Sequence, residues 1–171
     1  PRIIKASRFG DAAIFKELKK ILGEHKIKVV KSNYYNPELT LKKGIYTNVK
    51  PDKNDLKEIK KGILVLNKLN AHNHTQALII RNNIIVGKET AKGTKKMLQS
   101  IKTVKNHRGI LIKLPKKKQD LRADLPTIGL DTLKDCKKSR LSGVVLKSNQ
   151  NIFLDKSKCI NFANRNKIFI Y

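Results

Sequence analysis

Residues 108–129 read RGILIKLPKKKQDLRADLPTIG. The segment opens on an apolar run, residues 109–114, with the length and composition of a buried strand. It then passes through Pro115 and the run Lys116, Lys117, Lys118 into a polar, loop-like stretch that holds Asp120 and Asp124, with Arg122 between them. Carboxylates beside cations at the carboxyl end of a strand suit a site that binds a divalent metal and a phosphate together. The chain is poor in acids, with 13 Asp and Glu against 39 Lys and Arg. Two acids in one short turn are therefore poor candidates for surface filler.

On either side of this strand, helical and extended patterns alternate. Asp11 after Gly10 reads as a helix N-cap, followed by Ala13, Ile14, Leu18, Ile21 and Leu22 at helical spacing, with Gly23 as a stop. Residues 27–30 read as a short strand and residues 31–50 as a long ordered loop. Pro51 opens a second helix with Leu56, Ile59, Ile63, Leu66 and Leu69 on one face. Residues 77–80 and 84–86 flank Asn82-Asn83 and predict a tight hairpin. Helices are expected over 93–104 and 131–139. Residues 143–146 and 152–154 predict a second hairpin, Asp155 caps a helix reaching residue 164, and residues 167–171 close as a strand. The expected fold is α/β, with α+β the open alternative: a mixed sheet with hairpins, flanked by helices in a single domain over residues 1–171.

A formal charge of +26 draws any polyanion, whether nucleic acid, an anionic bilayer surface or phosphorylated metabolites. The lysines are spread along the whole chain. Aromatic residues are few, and those from Phe153 to Phe169 recur at core-like spacing, not as a stacking platform. No zinc-finger spacing or ribonucleoprotein-type aromatic strand is present. A basic nucleic-acid-binding module thus stands as the alternative reading, one that leaves Asp120 and Asp124 unexplained. Cys136 and Cys159 are lone thiols, expected to be small buried residues and not a disulfide or metal site. No apolar run approaches a membrane span and no signal peptide is visible. The chain opens at Pro1 and Met97 is its one methionine, which suggests a fragment or a processed chain. His72 and His74 form a His-Asn-His string expected to face solvent, and His25 and His107 are isolated.

The string K-x-P-x-x-x-Q-D-x-R-x-D-x-P-T-I-G at residues 113–129 resembles the metal-dependent UDP-2,3-diacylglucosamine pyrophosphatases of lipid A biosynthesis, specifically the carboxyl-terminal part of that family. Other segments agree in order: Gly10-Asp11 opening a helix, residues 51–62 with Asp55-Leu56 inside, Glu89 with Gly93, Thr94, Met97 and Leu98 after a hairpin, Leu141-Ser142-Gly143, and Leu154-Asp155. The resemblance covers nearly the whole chain and implies that a Rossmann-like amino-terminal domain is absent here, with residues 1–10 a remnant of the interdomain segment. If substrate lies between two such halves, this chain alone is expected to be nearly inactive.

The implied reaction is attack of water on the α-phosphorus of UDP-2,3-diacylglucosamine, giving UMP and 2,3-diacylglucosamine 1-phosphate, with Mg²⁺ or Mn²⁺ as cofactor. Asp120 is the first candidate for metal ligand or water activator and Asp124 the second, with Glu89 a third metal ligand. Gln119 is expected to orient water or substrate. Lys113 and Arg122 are expected to hold phosphate. Thr127 and Gly129, before the helix near Asp131, and Gly93 with Thr94, at another helix start, are candidates for phosphate binding through exposed N–H groups. Each acid also has a plainer role open to it: Asp124 as a turn cap, Asp120 as a surface acid, Glu89 as a strand-end acid and Asp11 as a helix cap. Lys118 stands where the family has Gly, and Lys92 and Ala12 stand where it has acids. The last two remove carboxylates, so any metal is expected to bind more weakly or differently. The resemblance further implies a cytoplasmic homodimer that touches the inner membrane at its periphery and takes a nucleotide-linked lipid, with no nucleic-acid partner.

Overall fold

The apolar run at 109–114 becomes the middle strand of a five-stranded sheet. The computed structural model describes residues 1–72, 75–104, 108–117, 119–122 and 124–171. Its elements are α1 (Arg2–Ser7), α2 (Asp11–Glu24), α3 (Lys53–His72), β1 (Ala77–Arg81), β2 (Ile84–Lys88), α4 (Gly93–Ser100), β3 (Gly109–Lys113), β4 (Thr127–Ile128), α5 (Leu130–Lys138), β5 (Leu141–Leu146), β6 (Ile152–Phe153), α6 (Lys156–Arg165) and β7 (Phe169–Ile170). The sheet order is β2-β1-β3-β5-β7. β1 pairs antiparallel with β2 and β3, whereas β3, β5 and β7 run parallel. The expected α/β class and mixed sheet are observed.

Alternation along the strands divides the core into two layers. Ala77, Ile79, Leu111 and Val144 pack with Met97, Leu98, Leu133, Cys136, Cys159 and Ala163 of α4, α5 and α6. Leu78, Ile80, Ile110, Ile112 and Val145 face the other way, onto Ile59 and Leu66 of α3. Burial on both faces explains why β1 and β3 read as unbroken apolar runs. Burying each such side chain stabilises the fold by about 1.5–3 kcal/mol. Cys136 and Cys159 are free and buried. Burial pushes both thiols up, Cys159 to about 11, so they stay protonated.

The first hairpin forms as its Asn pair requires: Asn82 and Asn83 adopt φ of 50° and 59°, the left-handed values of the turn that matches strand twist. The second expected hairpin does not form. β5 pairs in parallel with β3 and β7, and β6 pairs in parallel with β4 in a separate two-stranded sheet. A two-residue strand, β4, had no pattern long enough to announce it, and it took the partner assigned to β5. Residues 27–30 are not a strand; Ile27 and Val30 stay exposed. The N-cap position of α2 is Gly10, and Asp11 is the first helical residue. α3 begins after Asp52, not at Pro51: Asp52 Oδ1 accepts from the N–H groups of Asn54 and Asp55, and Asp55 Oδ2 accepts from Asp52 N, a reciprocal cap. Leu56 faces outward. α4 stops at Ser100, short of the expected residue 104. Asp155 sits at the N-cap of α6 without a side-chain capping bond. His74, His107 and Lys118 lie outside the described residues, as do the side chains of Asp11 and His72.

Gly143 and Phe169 are cross-strand partners, and a Cβ at Gly143 would lie 2.1 Å from two ring carbons of Phe169. That ring is fully buried and has nowhere to turn. Gly143→Ala is expected to lower unfolding stability by about 3 kcal/mol or more. Gly62→Ala meets the Ile112 Cδ1 end at 2.3 Å, and its gain of about 1 kcal/mol in helix propensity offsets that crowding. Urea titration of the two variants should separate them clearly.

Candidate functional site

Lys113 ends β3, so its side chain stands at the carboxyl edge of the parallel strands. That is the edge where open α/β sheets bind ligands. The side chain is only 7% exposed. Its Nζ donates to Thr94 Oγ1 at 3.0 Å and to the Thr127 carbonyl at 3.2 Å. Thr94 is in the first turn of α4 and is itself buried. Its hydroxyl donates onward to Glu89 Oε1 at 2.5 Å. Glu89, just past β2, is buried too, and its Oε2 accepts from Gln76 N at 3.2 Å. The chain from Lys113 through Thr94 to Glu89 therefore joins the ends of β2 and β3 and the start of α4. Burial lowers the Lys113 pKa, and the nearby Glu89 carboxylate partly opposes that shift.

The bond from Lys113 to Thr127 has a second consequence. Residues 114–126 form the loop between β3 and β4, and Lys113 ties the far end of that loop back to its start. Buried Asn151 donates from Nδ2 to the Lys113 carbonyl at 3.2 Å, fixing the backbone at the same point. Within the loop, Gln119 Oε1 accepts from Lys116 N at 2.8 Å, so this side chain is used in the local turn. Asp124 N donates to Asp120 O at 3.0 Å, which places both acids on one turn.

Asp120 is gripped by two cations. Arg122 reaches it with Nε at 3.0 Å and Nη2 at 2.8 Å, and Lys19 of α2 donates to Oδ2. The Arg122 amide also donates to Oδ1 at 3.0 Å. The carboxylate keeps 27% of its surface, so the group is reachable from solvent. Partial burial and the neighbouring Arg122 lower the Lys19 pKa.

The expected sites thus divide into two groups. Lys113, Thr94, Glu89 and the Thr127 carbonyl come together in the interior. Asp120 and Arg122 come together on the loop above, with Asp124 on the same turn. Gly93, at φ 81°, opens α4. Gly129 is the N-cap position of α5 in an extended conformation, where an added Cβ would make only ordinary contact with Leu154. The Thr127 hydroxyl turns to the Leu125 carbonyl, leaving its own carbonyl as the group that meets Lys113. Lys19, Asn151 and Gln76 were not foreseen. Lys19 is 101 positions from its partner, and only the tertiary fold brings them together.

Glu89 stands apart from the two loop acids: no group of three or more His, Cys, Asp or Glu suited to a metal exists among the described residues. The physical reason lies in their partners. Glu89 is turned inward onto Thr94 and Gln76, and Asp120 is already neutralised by Arg122 and Lys19. Mg²⁺ is commonly held by one or two carboxylates together with substrate phosphates, so Asp120 and Asp124 are a donor pair open to such an ion.

Residues 42–171 match the family model of the LpxI C-terminal domain. Over 178 aligned positions the chain is 24% identical to the UDP-2,3-diacylglucosamine pyrophosphatase LpxI of Caulobacter vibrioides, covering 99% of this chain and 64% of that protein. The β3 edge, the loop closed by Lys113 and the α5–β5–α6–β7 half of the sheet all fall inside the matched residues, and the chain belongs to the LpxI C-terminal domain family.

Proposed function

We propose that this domain serves hydrolysis of the pyrophosphate bond of UDP-2,3-diacylglucosamine, giving UMP and 2,3-diacylglucosamine 1-phosphate in lipid A biosynthesis. The observation that carries the reading is the Lys113–Thr94–Glu89 chain set beneath a loop on which Asp120 is paired with Arg122 and Lys19. A diphosphate needs fixed positive charge around its oxygens before a nucleophile can approach phosphorus. Lys113 supplies a cation that Thr94 and the Thr127 carbonyl hold in place. Arg122 and Lys19 supply two more that can move. A diphosphate entering the loop competes with Asp120 for those two cations. As they transfer to phosphate, the Asp120 carboxylate is released to accept a proton from the attacking water. Asp124, on the same turn, is the second carboxylate available to orient that water. Asp120 and Asp124 are the carboxylates that would hold Mg²⁺ or Mn²⁺, which would add positive charge beside the diphosphate.

The assay is turnover of UDP-2,3-diacylglucosamine by full-length protein, run with Mg²⁺, Mn²⁺ and chelator. Release of UMP is the expected result, and a protein that leaves the UDP-lipid intact under all three conditions rules the reading out. The acylated substrate also calls for access to a lipid surface. The outer face of α3 carries Lys57, Lys60, Lys61 and Lys68 around Leu64 and Val65, a basic face with an apolar strip that suits an anionic bilayer. No helix among the described residues is long and apolar enough to cross a membrane. Sedimentation with phosphatidylglycerol vesicles should fall several-fold in Lys57→Glu/Lys60→Glu/Lys68→Glu relative to wild type. Equal sedimentation of the two proteins rejects α3 as the contact.

A further inference from the structure

The opposite edge of the sheet carries a polar cleft. It has a volume of about 620 Å³ and is lined by Asp52, Asp55, Arg108, Lys137, Arg140 and Ser142, with Val104, Leu141 and Ile168 as apolar wall. Arg108, Leu141 and Ile168 precede or begin β3, β5 and β7, so the cleft lies at the amino ends of the parallel strands. Lys113 is at the other end of β3, about 13 Å away at about 3.3 Å per residue.

Three features distinguish this cleft from an ordinary charged surface. First, two acids and three cations line it, yet among the described residues Arg108, Lys137 and Arg140 form no ion pair. The acids are committed elsewhere: Asp52 Oδ1 and Asp55 Oδ2 accept backbone N–H groups in the cap of α3. Second, the walls are fixed from within. Arg81 is buried, and its Nη1 and Nη2 donate to the carbonyls of Lys102 and Ser139, the segments that carry Val104 and Arg140 into the cleft. Among the described residues its Nε has no hydrogen-bond partner, so this arginine holds the two walls with one donor to spare. Third, Arg140 adopts φ 54°, a helix-ending conformation that favours Gly or Asn. A guanidinium is kept there against the local preference.

We propose that this cleft binds a hydroxyl-bearing phosphate monoester, such as a sugar phosphate or the phosphate and ribose of a nucleotide. The three cations outnumber the two acids and leave the cleft positive for the phosphate, and arginine forks suit its oxygens. The second oxygens of Asp52 and Asp55, unused in the α3 cap, accept from hydroxyls. Val104, Leu141 and Ile168 pack against the apolar side of the ring. The volume is that of a small-ligand site. Burial, with Asp52 close by, raises the Asp55 pKa.

The test is amide chemical-shift titration of full-length protein with ribose 5-phosphate and, separately, inorganic phosphate. The proposal expects saturable shifts at Arg108, Arg140 and Ser142, with ribose 5-phosphate binding several-fold tighter than inorganic phosphate. Arg108→Ala/Arg140→Ala should weaken ribose 5-phosphate about tenfold or more with an unchanged melting temperature. Lys113→Met should leave these shifts intact, which separates this cleft from the cluster on the opposite edge. Absence of saturable shifts in the millimolar range overturns the proposal. Equal binding of the two ligands, or equal binding by the double variant, reduces the cleft to nonspecific charge and also overturns it. Shifts at these amides stand whether or not the protein hydrolyses UDP-lipid, so the two readings fail separately.

Discussion

Lys113→Met is expected to lower turnover of UDP-2,3-diacylglucosamine by about 10²–10³-fold, the loss seen when one fixed charge-stabilising donor is removed from an active site. Methionine keeps the stem that packs at the end of β3 and removes only the ammonium. The bonds to Thr94 and Thr127 go with it. The Thr127 carbonyl is left without this donor, and the far end of the loop that carries Asp120 is no longer tied back to β3. Some stability is lost too, because a buried acceptor deprived of its donor costs about 1–3 kcal/mol. A pH profile separates the charge from the packing. Burial lowers the Lys113 pKa in the folded state from 10.5, so in the window between the lowered value and 10.5 the unfolded chain binds more protons. Stability therefore rises with pH across that window through this group. Below it the charged, buried lysine is a constant penalty. Melting temperatures of wild type and Lys113→Met should converge or diverge in that window only, with wild type gaining on the variant as pH rises. A variant with turnover within threefold of wild type would remove Lys113 from the reaction.

Pattern and location explain what could be read in advance. β1 and β3 were legible because burial on both faces demands an unbroken apolar run, and that signal survives without context. The Asn82-Asn83 turn was legible because the left-handed conformation has few suitable residues. The partner of β5 was not legible. Val144 and Val145 accept either a hairpin neighbour or a parallel one, and the choice rests on α5 and α6 packing beside the sheet, a long-range consequence. The site behaves in the same way. Lys113, Thr94 and Glu89 were each candidates, yet sequence assigned them to two tasks: Lys113 and Thr94 to phosphate, Glu89 to metal. Their convergence needs the register that lays Ala77 against Lys113 and sets Glu89 N on the Ala77 carbonyl. Asp120 was singled out by its loop, but its partner on α2 was invisible, because a lysine on an amphipathic helix ordinarily reads as solvated surface. The cations around Asp120 were hidden for a related reason. Proximity of acids in sequence says nothing about whether arginine and lysine reach them first.

Asp120→Asn tests whether those cations hold a catalytic group or merely decorate a loop. Asparagine preserves the shape, keeps one acceptor oxygen and removes the negative charge that Arg122 and Lys19 share. If Asp120 accepts the proton of the attacking water, turnover should fall by about 10²–10⁴-fold, with a smaller change in KM. Stability should move by only about 1 kcal/mol or less, because Asp120 and Arg122 keep 27% and 49% of their side-chain surface and pairs so exposed contribute little. Loss of the carboxylate also leaves Arg122 and Lys19 unneutralised and ready for phosphate, so UMP should bind Asp120→Asn at least as tightly as wild type. Tighter product binding with slower turnover is a combination that a purely structural ion pair does not produce. A structural pair predicts the reverse: a lowered melting temperature, unchanged turnover and no gain in affinity. Lys19→Met completes the comparison. It removes one of the two competing cations and leaves the carboxylate held by Arg122 alone, so the expected loss is mainly in KM. Equal kcat and KM in Asp120→Asn and wild type would leave Asp120 as a loop fastener and move the search for the base to Asp124.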